Sequence, residues 1–417
     1  MIWYGGRAVH FYLDTRKVIE NEDKLLAQSV IDKNFDTDNF KKINSDYYFY
    51  KGAKTNYLIY SNILWRIVKI NKDNQISLVM DDAIATLAYG KDKEYDDSYI
   101  NKWLNKNDED YTGILEDYLN NKDSYLMKTE TCIDNVTDIK KVDCKKVNSD
   151  NYLSKLSLVD YINTGTSESF INNGKYTYLA NNNDDKVWYI DTTGKLNTSD
   201  GTDIYGIRAT ITIKPSVQLI SGDGSKNSPY RIEDNNGYYG SYVKLGDDVW
   251  RVYEINENKL KLVLNDYLKV DSEKIEYSYS NKNYFHNDTK SGSLAYYLNN
   301  TYLNSLSYKD LIIENKYANS YYGEDNEYDY ASVVKTMIDT KVSVPSITDP
   351  IFNNELNGYF TNTGTDDVGS FMYTRKNTSS LSSTRASRKM YVIPCITIDK
   401  SNLKAGSGFS DDPYRTE

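Results

Sequence analysis

The chain has 417 residues, too many for a single hydrophobic core, and its 41 Tyr, 10 Phe and 5 Trp supply the aromatic surface of packed domains. The formal net charge of -10 comes from dispersed acidic residues, and without a long run of Lys and Arg the sequence excludes nucleic acid as an expected partner. No segment reaches the roughly 18 consecutive apolar residues of a membrane-spanning helix.

The first 45 residues predict a partly helical segment built around the stretch NEDKLLAQSVIDKNF. Beyond it, residues 57–82 align with residues 242–266, with a Trp-Arg pair at the same place in both. In the first copy, Ile76, Leu78 and Met80 recur at every second position, which is the period of a half-buried strand. Each copy therefore opens with a predicted β-hairpin that turns at a short polar stretch.

A helical stretch follows in each copy, because residues 98–105 align with residues 292–300 and both carry apolar side chains at helical spacing. In the first copy the segment GILEDYLNN at 113–121 repeats this spacing. We interpret these apolar stripes as hydrophobic core, since nothing in them has the composition of a cofactor site.

The three cysteines fall into two groups. Cys132 and Cys144 lie twelve residues apart in a polar loop without a nearby His, and two Cys alone cannot build a tetrahedral zinc site. The sequence predicts a disulfide that staples this loop, which would indicate an oxidising, extracytoplasmic compartment; the alternative is a pair of unpaired loop thiols. Cys395 lies in the apolar run YVIPCITID and is expected to be a buried core thiol.

Short apolar segments at 156–161 and 345–350 align next, with Asp160 opposite Asp349. This pattern predicts a short strand followed by an Asp that caps a helix. A long polar region with scattered aromatic residues follows in each copy, and each region ends in a strand rich in β-branched residues.

The polar regions contain the residues that we expect to contact a ligand, because binding surfaces often combine aromatic rings with nearby carboxylates and amides. An equally good interpretation of Trp188 is a core residue that holds its loop in place. The candidates in the two copies are Trp188, Tyr189 and Asp191, and Phe371, Tyr373, Arg375 and Arg385.

Each copy closes with a similar sequence motif, SGDGSKNSPYRIE at 221–233 and AGSGFSDDPYRTE at 405–417, which we call the closing phrase. We expect the last strand of each copy to pair with the first, so that the phrase becomes the junction between consecutive units. The predicted organisation is an N-terminal segment at 1–45, a first unit at 46–233 and a second unit at 234–417. Because the chain stops at a unit boundary and opens without a signal-peptide pattern, we expect a fragment of a longer product.

The Trp-Arg hairpins, the helix INKWLN and the strand GIRATITI resemble bacterial surface domains of the C-type-lectin-like fold, and in particular non-catalytic relatives of the formylglycine-generating enzymes. The resemblance covers about residues 46 to 417. It implies an α+β fold of two tandem domains, each with a small twisted antiparallel sheet, flanking helices and long ligand-holding loops. The sugar-binding Glu-Pro-Asn and Gln-Pro-Asp triplets are absent from both units, and so are the paired late cysteines of the enzyme.

Other chemistry has little support in the sequence. The two His, His10 and His286, have no plausible Ser or Cys nucleophile beside them. Calcium ligands could come from acidic and amide-rich stretches, although none has EF-hand spacing and plain solvated loops are the simpler interpretation. Those stretches are NDED at 107–110, NNNDDK at 181–186 and GEDNEYD at 323–329.

These observations predict a non-enzymatic protein, extracellular or on the bacterial cell surface, that binds a glycan or a host or cell-surface protein through its long loops. Cofactors and metals are not expected, and attachment to a membrane would need segments outside this chain. A structural stalk of spacer modules is the main alternative, and a glycan-active enzyme is a third.

Overall fold

The computed structural model describes residues 2–4, 7–9, 24–105, 116, 119–233, 237–280, 292–322, 333–334, 337–365, 371–377 and 380–417. It is mostly sheet with few helices, 39% strand and 16% helix, and belongs to the α+β class. We call residues 24–233 the first half and residues 237–417 the second half. Their buried side chains form two hydrophobic clusters, one in each half, except that Tyr239 of the second half belongs to the cluster of the first.

The main sheet of the first half has nine strands, and the opening hairpin lies at its centre. The strand Ala209–Ile213, in which every residue is buried, runs antiparallel to Ile76–Met80, so the late strand pairs with the opening hairpin. The nine strands are Phe40–Ile43, Asp46–Phe49, Tyr57–Tyr60, Ile63–Ile70, Ile76–Met80, Leu126–Met127, Ser154–Lys155, Ala209–Ile213 and Tyr230–Arg231.

The second half repeats the central order of this sheet in five strands. Cys395–Asp399 runs antiparallel to Lys259–Leu264, as Ala209–Ile213 does to its own hairpin. The hairpins also share an irregularity of register at the same aligned positions, after Ile67 in one and after Val252 in the other. The five strands are Tyr242–Leu245, Asp248–Asn256, Lys259–Leu264, Val342–Ser343 and Cys395–Asp399.

Each half carries a further sheet, in which the strands of its long polar region pair with strands from earlier in the chain. In the first half this sheet has five strands, Ala85–Leu87, Thr177–Asn183, Lys186–Ile190, Leu196–Ser199 and Tyr205–Ile207. In the second half it has seven, Glu276–Ser278, Ser320–Tyr322, Val333–Val334, Tyr359–Gly364, Phe371–Asn377, Ser380–Arg385 and Lys389–Tyr391. The polar regions predicted as irregular loops are therefore largely strands.

The remaining strands of the described residues form four two-stranded pairs. These are Ile2–Tyr4 with Arg7–Val9, Thr131–Cys132 with Val147–Asn148, Lys269–Val270 with Glu273–Lys274, and Asn315–Ala318 with Met337–Thr340.

The helices of the described residues are short. The α-helices are Leu26–Asn34, Tyr99–Asn105, Lys122–Tyr125, Leu158–Asn163, Leu294–Tyr296 and Leu303–Ser305, and a π-helical segment Tyr297–Tyr302 joins the last two. The 3-10 turns are Tyr95–Asp97, Ile139–Lys141, Thr166–Glu168, Lys309–Leu311 and Lys400–Asn402.

The helices predicted at 98–105 and 292–300 are present, and so is a helix in the N-terminal segment. The N-terminal helix Leu26–Asn34 packs into the first half, where Leu26 and Val30 are fully buried. Most of the stretch at 113–121 lies outside the described residues.

The predicted role of Asp160 as a helix cap is wrong. The helix Leu158–Asn163 begins one turn earlier than expected, and the hydroxyl of Ser157 caps it by accepting a hydrogen bond from Asp160 N. The Asp160 carboxylate instead accepts hydrogen bonds from Lys69 Nζ at 2.8 Å and Tyr48 OH at 2.9 Å. Ser is as good a cap as Asp, and the carboxylate is needed to neutralise a lysine.

The repeated closing phrase folds back onto the half that it ends. Tyr230 pairs in parallel with Leu58, and Tyr414 pairs in parallel with Val243. Gly222 and Gly406 both have φ of +92°, and a Cβ on either would come 2.0 or 2.1 Å from the carbonyl oxygen seven residues later. Glycine is therefore required at this position in both halves, because a Cβ there would clash with the backbone of the same turn.

The two halves are in direct contact. Asn62 Nδ2 donates to Ser241 Oγ at 2.8 Å, and Arg251 Nη2 donates to the Asn62 carbonyl at 3.2 Å. A second contact joins Thr86 Oγ1 to the Ile347 carbonyl at 3.1 Å. Because these groups are buried, the junction is a packed interface and not a solvated linker.

Candidate functional site

The loop closed by cysteines covers the sheet that carries the first group of candidate residues. Cys132 and Cys144 form a disulfide with a Cα–Cα distance of 5.4 Å, which is the pairing expected from the sequence. The loop then contacts the end of the central strand Thr177–Asn183 through Val136, whose N–H donates to the Asn182 carbonyl at 2.9 Å. This cross-link fixes the position of Val136 relative to the strand Lys186–Ile190.

Trp188 lies under this loop and is only 8% exposed. Its indole Nε1 donates to the Val136 carbonyl at 2.8 Å, so the polar edge of the ring is satisfied within the protein. Burial of the ring and pairing of its N–H do not support Trp188 as a ligand-contacting residue. The alternative interpretation, a core residue that holds its loop in place, fits both observations.

Asp191 organises the turn after the strand Lys186–Ile190. One carboxylate oxygen accepts hydrogen bonds from Thr193 N at 2.8 Å and Lys195 N at 3.0 Å, and the other accepts from Asn197 Nδ2 at 2.9 Å. Partial burial raises the pKa of Asp191, but these hydrogen bonds outweigh it and the pKa is lowered. The carboxylate is therefore ionised and serves the turn, as Asx motifs do.

Tyr189 belongs to a cluster of tyrosines on the same sheet. Its ring lies 5.1 Å from that of Tyr205, which in turn stacks on Tyr176 at 4.9 Å, and the fully buried Tyr178 supports them from below. Tyr176 is 36% exposed and the other two rings are half-buried. We call Tyr176, Tyr189 and Tyr205 the tyrosine patch.

The patch arises from strand pairing. Tyr178 lies directly opposite Tyr189 in the antiparallel ladder, while Tyr205 arrives on a strand that runs parallel to Thr177–Asn183. Burial raises the pKa of Tyr205, and the carboxylate of Asp203 raises it further. Burial also raises the pKa of Tyr189. The hydroxyls therefore remain protonated at neutral pH and can both donate and accept hydrogen bonds.

The sequence analysis missed Tyr176 and Tyr205. The motif KYTYLA contained a signal for Tyr176, because Tyr176 and Tyr178 are two residues apart and share a face of a strand. Nothing in the local sequence indicates Tyr205, which joins the patch only through the tertiary fold.

The candidate residues of the second half lie on its seven-stranded sheet and have different environments. In the hairpin ladder Phe371 is opposite Arg385 and Tyr373 is opposite Ser383. Arg385 is exposed and Tyr373 is half-buried, while the side chain of Phe371 lies outside the described part of the chain.

Arg375 is fully buried, in contrast to its expected role at a binding surface. Its guanidinium donates to the carbonyls of Ile347 and Asp349, the latter at 3.1 Å, and reaches Thr86 Oγ1 of the first half at 3.3 Å. Thr86 is paired with Gly206, next to Tyr205 of the patch. Arg375 therefore joins the halves beside the patch sheet and is not available to a ligand.

The arginines of the two Trp-Arg hairpins, Arg66 and Arg251, also have a structural role. The guanidinium carbons of Arg66 and Arg251 lie 3.9 and 4.0 Å from the ring centres of Tyr57 and Tyr242. Both arginines are only 5% exposed. Stacking of a buried guanidinium on an aromatic face stabilises the base of each hairpin.

The candidate metal sites receive no support from the described residues. In the stretch 181–186 the side chains of Asn181, Asn182 and Asp184 are engaged with the disulfide loop or with Glu94. The stretches 107–110 and 323–329, like His10 and His286, lie outside the described part of the chain. The cluster of Cys132, Asp134 and Cys144 has metal-site dimensions, but its sulfurs are joined to each other.

Cys395 is the buried core thiol that the sequence predicted. Burial raises its pKa well above the ordinary value, so the thiol stays protonated and unreactive. Within the described ranges, no helix is long and apolar enough to cross a membrane.

Comparison of the chain with models of protein families, with curated proteins and with solved structures finds no match. The functional argument therefore depends on the residues and their geometry.

Proposed function

We propose that the chain is a non-enzymatic bacterial surface protein that binds a ligand through the tyrosine patch, with a glycan as the leading ligand class and a protein as the alternative. The observation that carries this proposal is the set of three clustered tyrosine rings, partly open to solvent, on a rigid sheet. Aromatic faces pack against the C–H faces of sugars or against side chains, and their hydroxyls supply directional hydrogen bonds.

The proposed architecture is a tandem of two lectin-like modules. Support comes from the shared strand order of the two main sheets, from the matching register irregularities, and from the closing phrase that returns each half to its own first strand. Such closed units place their ends side by side, which suits modules strung along a surface protein.

The proposed location is extracellular or at the cell surface. Its support is the disulfide between Cys132 and Cys144, because structural disulfides persist in oxidising compartments and are rare in the bacterial cytosol.

A structural spacer is the second candidate, and the packed junction favours it. Buried hydrogen bonds from Asn62 to Ser241 and from Arg375 to Thr86 would keep the halves at a fixed angle, as a stalk requires. A spacer needs no binding surface, so it makes no use of the tyrosine patch.

Binding assays with patch variants distinguish the two functions. We expect oxidised protein to bind a subset of a glycan array, and Tyr176→Ala and Tyr205→Ala to weaken that binding about tenfold without lowering thermal stability as a core truncation would. Tyr152→Ala, at a half-buried tyrosine away from the patch, is the matched control. A blank array together with a blank pull-down from cell-wall material would refute binding and leave the spacer.

A further inference from the structure

A cavity lies at the junction of the halves, and none of the three tyrosines of the patch lines it. Its volume is about 530 Å³, within the range of pockets that hold small ligands. The first half contributes the outer face of its opening hairpin, including Ile59 and Leu64, together with Arg231 of its closing phrase. The second half contributes Phe352 and, from its own closing phrase, Phe409. We call this cavity the junction cleft.

Fixed contacts between the halves hold the junction cleft in shape. Asn62 in its wall is bonded to Ser241 and to the guanidinium of Arg251, and Ile84 accepts a hydrogen bond from Ile351 N at 2.7 Å. A ligand would therefore meet a preformed cavity and would not have to order the junction on binding.

Phe409 is the residue that distinguishes this cleft from an ordinary interface. In the aligned closing phrases it occupies the place of Ser225, so the fold of the phrase does not need an aromatic ring there. The ring is half-buried, and the guanidinium of Arg231 lies 4.4 Å from its centre. The position at which the copies differ thus supplies a flat apolar surface to the cleft.

The polar lining indicates the class of ligand. Three carboxylates and three cations line the cleft, which disfavours a polyanion or a strongly cationic ligand. Three partly exposed rings, Tyr242, Phe352 and Phe409, line the cleft. The exposed amide of Asn227 can donate and accept hydrogen bonds, as a ligand rich in hydroxyls requires. The amides of Asn62 and Asn354 also belong to the lining, where they donate to Ser241 and Asp82.

We infer that the junction cleft is a binding site for a neutral oligosaccharide, with Phe409 as its stacking platform and Arg231 and Asn227 as hydrogen-bond donors. The inference does not depend on the tyrosine patch, which lies on a different sheet of the first half.

The test is a calorimetric titration of the oxidised full chain with cellotetraose, chitotetraose and maltotetraose, each up to about 10 mM, the upper end of weak specific binding. We expect at least one to bind saturably. Phe409→Ser, which installs the residue that the first half uses at the same position, should weaken that binding about tenfold because a stacked ring is a typical binding hot spot. Its thermal transition should match that of the unaltered chain.

Two controls separate this site from the patch. Tyr176→Ala should leave the tetrasaccharide affinity unchanged, and a tetrasaccharide of uronic acids should bind more weakly than its neutral counterpart. Equal affinity of the unaltered chain and Phe409→Ser, absence of saturable binding for all three neutral probes, or preference for the uronic acid probe would each overturn the inference.

Discussion

Lys155 is buried without a counter-ion, and its replacement should stabilise the protein. The residue is 1% exposed, and its ammonium group donates to the Arg208 carbonyl at 3.1 Å and to Thr177 Oγ1 at 3.4 Å. Within the described ranges, no carboxylate forms an ion pair with it. Burial lowers the pKa of Lys155 from its ordinary value of 10.5 to about 7, and the positive charge of Arg208 adds to this effect.

The free-energy cost of burying the charged form of Lys155 follows from that pKa. The difference between 10.5 and about 7 corresponds to about 5 kcal/mol of lost stability when the unfolded lysine is protonated. Replacement by methionine keeps most of the volume but leaves the Arg208 carbonyl without its donor, which costs about 1–3 kcal/mol. We therefore expect Lys155→Met to raise the free energy of unfolding by about 2–4 kcal/mol near pH 6.

The stability that Lys155→Met gains over the unaltered protein should decrease as the pH rises. Between pH 7 and 10.5 the unfolded chain binds a proton that folded Lys155 does not, so the stability of the unaltered protein rises with pH across this window. The advantage of Lys155→Met should accordingly be full below about pH 7 and shrink towards pH 10. The second half supports the substitution, because the alignment of residues 156–161 with 345–350 places Val344, a buried and uncharged residue, at the position of Lys155.

Urea denaturation at pH 6 and pH 9.5, followed by fluorescence, measures this difference. Lys69→Met is the matched control, because burial disfavours the charged form of Lys69 but Asp160 outweighs it and raises the pKa. Removal of Lys69 would leave the Asp160 carboxylate unpaired and should destabilise the protein. A destabilised Lys155→Met at pH 6, or a gain that does not change with pH, would refute the reasoning.

Three further predictions concern the disulfide, the closing phrase and a buried acid. Cys144→Ser should lower the free energy of unfolding by about 3 kcal/mol, because the unfolded chain loses the restriction that a closed short loop imposes, and it should change the fluorescence of Trp188. Equal melting temperatures with and without reductant would contradict this. Gly406→Ala should lower the free energy of unfolding, measured by chemical denaturation, by at least about 2 kcal/mol, because the new Cβ would lie 2.1 Å from a carbonyl oxygen. Gly52→Ala is the control and should leave this free energy unchanged, because the space around Gly52 is open. Burial raises the pKa of Glu233 to about 7, so the stability of the protein should fall as pH rises from 4.5 to 7. Glu233→Gln should remove this pH dependence and raise the free energy of unfolding by about 2 kcal/mol at pH 8. An unchanged pH profile of stability would exclude this role for Glu233.

The packed junction changes how a tandem array would work. If the halves were joined by a flexible linker, the patch and the cleft would sample many relative positions. Because Arg375 and Thr86 join the second half to the sheet that carries the patch, the structure fixes that sheet beside the junction. Arg375→Met therefore offers a way to loosen the junction without directly altering the tyrosine patch or the lining of the junction cleft.

The sequence by itself determined the local elements. Alternation at Ile76, Leu78 and Met80 was sufficient for the hairpin, since a strand with one buried face needs a period of two. The spacing of Cys132 and Cys144 permitted the disulfide. The repeated glycines of the closing phrase marked a turn, because the conformation of a tight turn depends on the residues within it.

Only the tertiary structure decided which side chains are available at the surface. Trp188 is buried under a loop from which Val136, 52 residues earlier in the chain, accepts its hydrogen bond. Arg375 is buried between the carbonyls of Ile347 and Asp349 in its own half and Thr86 of the other. Tyr205 joins Tyr189 through a parallel strand pairing that no local pattern encodes. Burial is a property of the contacts between distant segments, so a sequence read through short windows predicts strands and turns but not binding surfaces.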